Sequence, residues 1–436
     1  MTDRKHLARQ IFRETLAGID IASTLAQRLR LQDGVIESAE ARVNLREYRE
    51  IVAISIGKAA LALADGLSAI LAPEFKLRGI LAGPSKPARK LNGWEVIVSG
   101  HPTPNEESFR AGREILELLR KCGEETLIFF LLSGGGSSLV ELPLDENVSV
   151  EDFAKLHHAL VTCGAPIQEI NAIRKHLSAV KGGRLAAAAP EAMKITLGVT
   201  DVPEGEETAL ASGPTLPDPT TIADAERIAR KYDLLEKMPE RLREKFKRQE
   251  LKETPKAGDR EFARATFELL LGRRDLFHHA HMATEAAGFF TVCDNATDGW
   301  PVEKAAQHLL QQVEALARSN RGQPVALIAD GEVNSPVTGK GLGGRNSAFV
   351  LASVERIAGG DVTVLSAGTD GIDGNSPAAR AVADGGTVER ARQAKMEPKE
   401  FYERSDAFTF FDRLGDAIVT GPTGNNLRDL RILLAG

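Results

Sequence analysis

From its start to residue 31 the chain repeats apolar positions at helical spacing, which predicts an amphipathic helix. At 51–56 the pattern changes to an unbroken β-branched run, IVAISI, ending in Gly57-Lys58. An Ala/Leu-rich helical segment follows at 59–71. Strand, glycine turn and helix together make the basic α/β unit. The unit recurs, with short strands at 79–82 and 95–98, a helix at 109–121, and a wholly apolar strand at 127–132. After Gly182-Gly183 come another helix and the strand 194–199. Runs apolar on both faces are what a parallel sheet covered by helices requires.

Between 224 and 260 the chain becomes highly charged, with Pro239 and Pro255 as breakers, and reads as a pair of solvated helices ending in a linker. A second α/β series then begins. It has strands at 267–271, 289–293, 325–329 and 362–366, and helices at 275–287, 302–318 and 347–357. Two α/β domains are therefore expected, 1–255 and 256–436. A chain of 436 residues is too long for one ordinary core.

Composition narrows the class. Apolar residues at 42% and charged residues at 27% are globular values, which excludes a disordered or fibrous protein. A net charge of -6 and scarce aromatics give no nucleic-acid footprint. The longest apolar runs are far too short to span a membrane, and the charged start predicts no secretory signal. Cys122, Cys163 and Cys293 follow no metal spacing and read as small hydrophobes in a reducing compartment, the cytoplasm.

Candidate chemistry lies where the glycines fall. Ser133-Gly134-Gly135-Gly136-Ser137-Ser138 directly follows a buried strand, where backbone N–H groups converge on an anion without Cβ obstruction. Gly57-Lys58 lacks the rest of a Walker A loop, so the chain is not a P-loop protein. Lys58 either binds phosphate or carboxylate or snorkels to solvent. Residues 339–346, GKGLGGRN, contain G-x-G-x-x-G, but Asn334-Ser335-Pro336 separates them from the preceding strand, which disfavours a dinucleotide site. A helix-capping loop that projects Arg345 fits better. Arg174, Lys175, His176, Lys181 and Arg184 crowd residues 166–184, as a charged helix face or as an anion site. Asp201 ends another buried strand, where it holds Mg²⁺ or accepts a proton. Residues 370–374 and 421–426 are two more glycine loops, and His278, His279 and His281 match no zinc spacing.

These loops together resemble the glycerate 2-kinase family, the class II glycerate kinases that carry a MOFRL domain. The likeness runs from about 51 to 430, through SIGKAA at 55–60, SGHPTPNEES at 99–108, LLSGGGSSLVELP at 131–143 and EINAIRKHLSAVKGGRLA at 169–186. TDVPEGEETALASGPT at 200–215, GLGGRNSAFVLA at 341–352, SAGTDGIDG at 366–374 and GPTGNNLRDL at 421–430 complete it. The chain departs from the family pattern at 200–206, at Ser347-Ala348, and at 376–381. In that last stretch Ser-Pro-Ala-Ala-Arg-Ala stands for Thr-Asp-Ala-Ala-Gly-Ala, which puts Arg380 at a glycine position.

The resemblance implies a larger N-terminal Rossmann-like α/β/α domain and a smaller C-terminal α/β domain with the MOFRL region at about 325–430, the active site lying in the cleft between them. It implies transfer of the ATP γ-phosphoryl group to the C2 hydroxyl of D-glycerate, with Mg²⁺. Lys58, Arg345 and Asp201 are then catalytic, with Asp201 also the metal ligand. Ser133, Gly134, Gly135, Gly136, Ser137, Asn171, Lys175, Lys181, Asp370, Thr423 and Asn425 bind glycerate or nucleotide. The partners implied are these small molecules, with a homodimer as an assembly the resemblance allows. The rivals are an NAD(P)H-dependent hydroxypyruvate reductase and a non-catalytic sugar-acid or nucleotide sensor.

Overall fold

The computed structural model describes residues 3–436 except 73, 201, 203, 204, 378, 379, 422 and 426. The chain divides into two compact units, Ile21–Leu270 and a second made of Met1–Asp20 with Leu271–Gly436. This differs from the division expected at 255 in one instructive respect. The predicted first helix is two helices, Arg4–Gly18 and Ile21–Arg28, and the break falls at the boundary between units. Arg4–Gly18 packs in the unit that holds the end of the chain, where Lys5 reaches Asp416 at 2.7 Å.

The unit 21–270 opens on a small antiparallel meander, β1 (Arg30–Gln32), β2 (Val35–Glu37) and β3 (Arg42–Asn44). Its main sheet is built from β4 (Glu50–Ile56), β5 (Leu77–Gly83), β6 (Trp94–Val98), β7 (Thr126–Ser133), β8 (Met193–Val199) and β9 (Ala265–Leu271). The order is β6-β5-β4-β7-β8-β9, with β6 through β8 all parallel. Every residue of β7 is buried, as the unbroken apolar run predicted. From β4 the chain winds outward through β5 and β6, then returns to lay β7 on the other side of β4. The order therefore reverses between β4 and β7, and the carboxyl ends of those two strands flank a topological switch point, where open α/β sheets bind ligands.

The charged stretch after 224 is not merely solvated. Its helices Ile222–Lys231 and Glu240–Lys247 turn Ile228, Leu242 and Phe246 into a satellite core with Phe153, Leu160 and Ile173. Alternating charges hide the amphipathic stripe that buries these side chains.

The second unit has a mixed sheet of β10 (Phe290–Asp294), β11 (Val325–Asp330), β12 (Val362–Gly368), β13 (Arg380–Ala383), β14 (Ala417–Ile418) and β15 (Asp429–Ala435), in the order β10-β11-β15-β12-β13-β14. β15 lies antiparallel to both β11 and β12, so its first residue stands at the carboxyl edge of its neighbours. Helices Val302–Ser319 and Arg345–Val354 pack Leu309, Val313, Phe349 and Val350 into this core. No described helix is long and apolar enough to cross a membrane.

Candidate functional site

At the switch point of the first unit two turns interlock. Gly57 has φ +126°, and a Cβ there would lie 2.1 Å from Ser133 Oγ, so only glycine lets the end of β4 meet the end of β7. Ala59 N–H donates to Ser133 Oγ at 3.0 Å, and Lys58 N–H donates to Gly134 O at 2.9 Å. Ser133, an expected ligand-binding residue, is thus fully buried in the joint between turns. The half-buried Lys58 runs along the glycine loop, its Cγ 3.2 Å from where a Gly135 Cβ would sit, and His101 Cε1 lies equally near. His101 Nδ1 is 2.9 Å from Ser138 Oγ. Among the described residues, the backbone N–H groups of Gly134, Gly135, Gly136 and Ser137 have no protein acceptor. Successive backbone donors left open at the end of a strand are the arrangement that anion-binding loops use.

The loop is held from behind by a polar chain. Ser137 Oγ lies 2.8 Å from Ser212 Oγ, which donates to Asn171 Oδ1 at 3.2 Å. Arg174 donates to Asn171 and, at 3.2 Å, to His157 Nδ1. Burial, together with the neighbouring Arg174, pushes His157 down to about 4, so its ring is a neutral acceptor. Ser212 sits in a left-handed run, φ +50°, +62° and +61° at Ala211, Ser212 and Gly213. Non-glycine residues held there mark a segment fixed by its surroundings. Nothing in ALASG announces this in sequence, because the strain comes from the packing of residues 211–213 against Gly182 and Gly183.

Lys175 and Lys181, both expected at a ligand, are paired with carboxylates of the protein itself. Lys175 Nζ is 3.0 Å from Asp218 and Lys181 Nζ is 2.6 Å from Glu141, all four side chains being sealed from solvent. Burial pulls the Lys181 ammonium below its ordinary range and Glu141 opposes that pull. These ions lock the helix Ile167–Leu177 and the turn after it onto the glycine loop's unit. Asn171, only 3% exposed, likewise acts through Ser212. Asp201 lies outside the described residues.

In the second unit the glycine loop ahead of Arg345 is already filled. Asp373 accepts from Asn346 N–H at 2.9 Å, Ser347 N–H at 2.8 Å and Ser347 Oγ at 2.6 Å, capping the helix Arg345–Val354. Gly344 is required there, since its Cβ would stand 2.3 Å from Asp373 Oδ1. Arg345 does project, but its fork is engaged. Nε and Nη2 meet Asp429, and Nη1 and Nη2 meet Glu332 at 2.9 and 2.5 Å. Burial alone would lower its pKa, and the two carboxylates raise it above its ordinary value. The two later loops knit together at the same edge: Thr423 N–H donates to Asp370 O, its Oγ1 donates to Thr369 O, and Asn425 N–H donates to Thr423 Oγ1. Among the described residues, no donor meets the sealed Asn425 Oδ1. Below them Asp330, fully buried, pairs with Arg273 at 2.8 Å, and burial, against the pull of Arg273 and Arg428, pushes it up to about 6. Asp373, Asp429 and Glu332 were missed by sequence reasoning, although the first two stand within motifs it singled out.

His281 Nε2 pairs with Glu285 at 3.2 Å, and Cys293 lies 3.8 Å from its Nδ1. Among the described residues, no three His, Cys, Asp or Glu side chains are grouped to hold a metal ion.

A doubly wound sheet with a glycine loop at its switch point, together with a second unit built on a mixed sheet, defines a two-unit α/β protein. Two family models match the chain: a domain of unknown function, DUF4147, over residues 7–247, and the MOFRL family over 325–429. A D-glycerate 2-kinase of Thermotoga maritima is 32% identical over 92% of this chain and 93% of its own. An Agrobacterium vitis protein, provisionally named a hydroxypyruvate reductase, is 34% identical over 93% of each. The crystal structure of the Thermotoga maritima glycerate kinase superposes with a TM-score of 0.84 at 29% identity, covering 100% of both chains. The chain belongs to the MOFRL-containing glycerate 2-kinase family.

Proposed function

We propose that the protein transfers the γ-phosphoryl group of ATP to the C2 hydroxyl of D-glycerate, giving 2-phospho-D-glycerate and ADP. The observation that carries this reading is the row of acceptor-less N–H groups at Gly134–Ser137 beside Lys58, at the switch point of a family member's sheet. Phosphoryl transfer needs positioning and charge neutralisation more than covalent chemistry, and this loop supplies both. Lys58 and the loop neutralise phosphoryl or carboxylate oxygens. Arg345, aligned by the buried Asp429, offers a second cationic fork after exchanging the more exposed Glu332 for ligand. Asp370, Thr423 and Asn425 shape the loop edge of the second unit.

A nucleotide-bound Mg²⁺ needs only one or two protein carboxylates besides the phosphates. Asp201 is the carboxylate proposed to hold it, and the ion would offset charge on the β- and γ-oxygens. The three free cysteines support the reducing cytoplasm as the compartment.

A coupled ADP-release assay with D-glycerate tests the proposal. Activity should vanish in excess EDTA and return with Mg²⁺, and enolase should consume the product without added mutase. A strict mutase requirement would place the phosphate on C3 and reject the regiochemistry. The reductase reading rests on the name of the Agrobacterium vitis relative. Against it, G-x-G-x-x-G at 339–344 begins well after β11 ends at Asp330, so no strand feeds that loop. NADH oxidation with hydroxypyruvate, in place of ADP release, would favour it.

A further inference from the structure

Arg380 stands on β13, in a stretch where the chain departs from the family pattern. It is 3% exposed, yet its Nε and Nη1 are sealed with no hydrogen-bond acceptor among the described residues. Its guanidinium stacks on the ring of Phe12, 4.3 Å from the centroid. Phe12 belongs to the helix Arg4–Gly18, where Arg9 and Arg13 stand one turn apart on one face, and Arg9 Nε is a third sealed donor without an acceptor. Orphaned buried donors are rare in native proteins, and each calls for a partner.

The local charge is unbalanced. Lys5, Arg9 and Arg390 share Asp416, at 2.7, 3.7 and 2.7 Å, and Lys5 and Arg390 also approach Asp384. Among the described residues, Arg13 and Arg380 pair with no carboxylate, and neighbouring Glu14 accepts from Gln10. Five cations thus face two carboxylates, a local excess of three positive charges in a chain whose net charge is -6. Burial, with Arg13 and Arg9 beside it, pulls Arg380 down to about 10, the mark of a cation whose charged neighbours are cations.

We propose that Arg380, Arg9 and Arg13 form a binding site for a small phosphate-bearing anion, inorganic phosphate or a phosphate monoester. Guanidinium forks match the oxygens of a tetrahedral phosphate, and a dianion reaching the exposed Arg13 side of the cluster offsets most of the excess charge. The site stands wholly within the second unit and does not depend on the phosphotransferase reading.

Titration calorimetry of the full chain with inorganic phosphate at constant ionic strength tests it. A binding step independent of the loop at 133–137 is expected, weakened at least tenfold in Arg13→Gln and in Arg9→Gln, and lost in Arg380→Gly. Arg13 is exposed, so its variant folds even if the glycine at 380 destabilises β13. The signal should survive in Lys58→Ala, which separates it from the loop at 133–137. Equal affinity in the arginine variants, or loss of the only signal in Lys58→Ala, overturns the proposal. So does an equal heat from chloride at the same ionic strength.

Discussion

Residues 133–138 and 339–345 are both glycine runs that open a helix, and a reader of the sequence would treat them alike. In the first, four N–H groups are left without a protein acceptor and a half-buried lysine lies alongside. In the second, the protein's own Asp373 occupies the N–H groups, and two carboxylates hold the arginine that follows. Glycine gives the backbone room to approach an anion, and what the rest of the fold delivers to that room decides whether it becomes a binding site or a buried cap. The same contrast separates the lysines. Lys58 has the loop before it, whereas Lys175 and Lys181 each face a sealed carboxylate.

The largest effect that sharpens this contrast is on rate. Lys58→Ala should lower kcat for ADP release by ~10²–10³, the usual loss on removing one charged donor from a preorganised site. Its melting temperature should stay near that of the parent. A rate change of only a few-fold would mean that Lys58 snorkels.

Lys181→Met should do the reverse and destabilise the protein by about 3–5 kcal/mol, because it strands the 2%-exposed Glu141 as an unpaired buried charge. Urea denaturation measures this. A fully stable, inactive Lys181→Met would return that lysine to the ligand.

Asp373→Asn keeps the shape of the cap but removes the charge that accepts from Asn346 and Ser347. A loss of about 2 kcal/mol is expected by thermal melting, with little change in KM. If inorganic phosphate restored the lost stability, the second loop would be an anion seat after all.

The most gradual effect concerns pH. Asp330 holds its proton up to about 6 in the folded state, against an ordinary value of 3.8. Between pH 4 and 6 the unfolded chain releases a proton that the folded protein keeps, so stability falls as pH rises, by at most about 1.4 kcal/mol per unit from this group. Asp330→Asn should flatten that slope, and an unchanged slope would assign it elsewhere.

How much of this was legible depended on where polar residues sit. The runs at 51–56, 127–132 and 194–199 carry no interior charge, and each proved to be a buried parallel strand. β15 escaped notice because it begins DLR. Its Asp429 and Arg431 look like surface residues, yet both are buried, one meeting Arg345 and the other donating to Gly331 O. The break between the first two helices was invisible because both are amphipathic and the apolar spacing continues across Ile19-Asp20. Near the candidate site, the glycine loop that follows the buried strand β7 was legible from glycine placement. The roles of Lys175 and Lys181 were not, since nothing local says that Asp218 and Glu141 will stand opposite them.

The helix Arg4–Gly18 is made long before the rest of its unit, residues 271–436. Ala8, Ile11 and Phe12 are buried in the unit completed by residues 271–436, and Lys5 waits for a carboxylate 411 positions away. At the usual ~5–20 residues per second, that interval is roughly 20–80 s. Throughout it the apolar stripe lacks its own core, while the unit 21–270 stands in the chain as an insertion between the two halves of its neighbour.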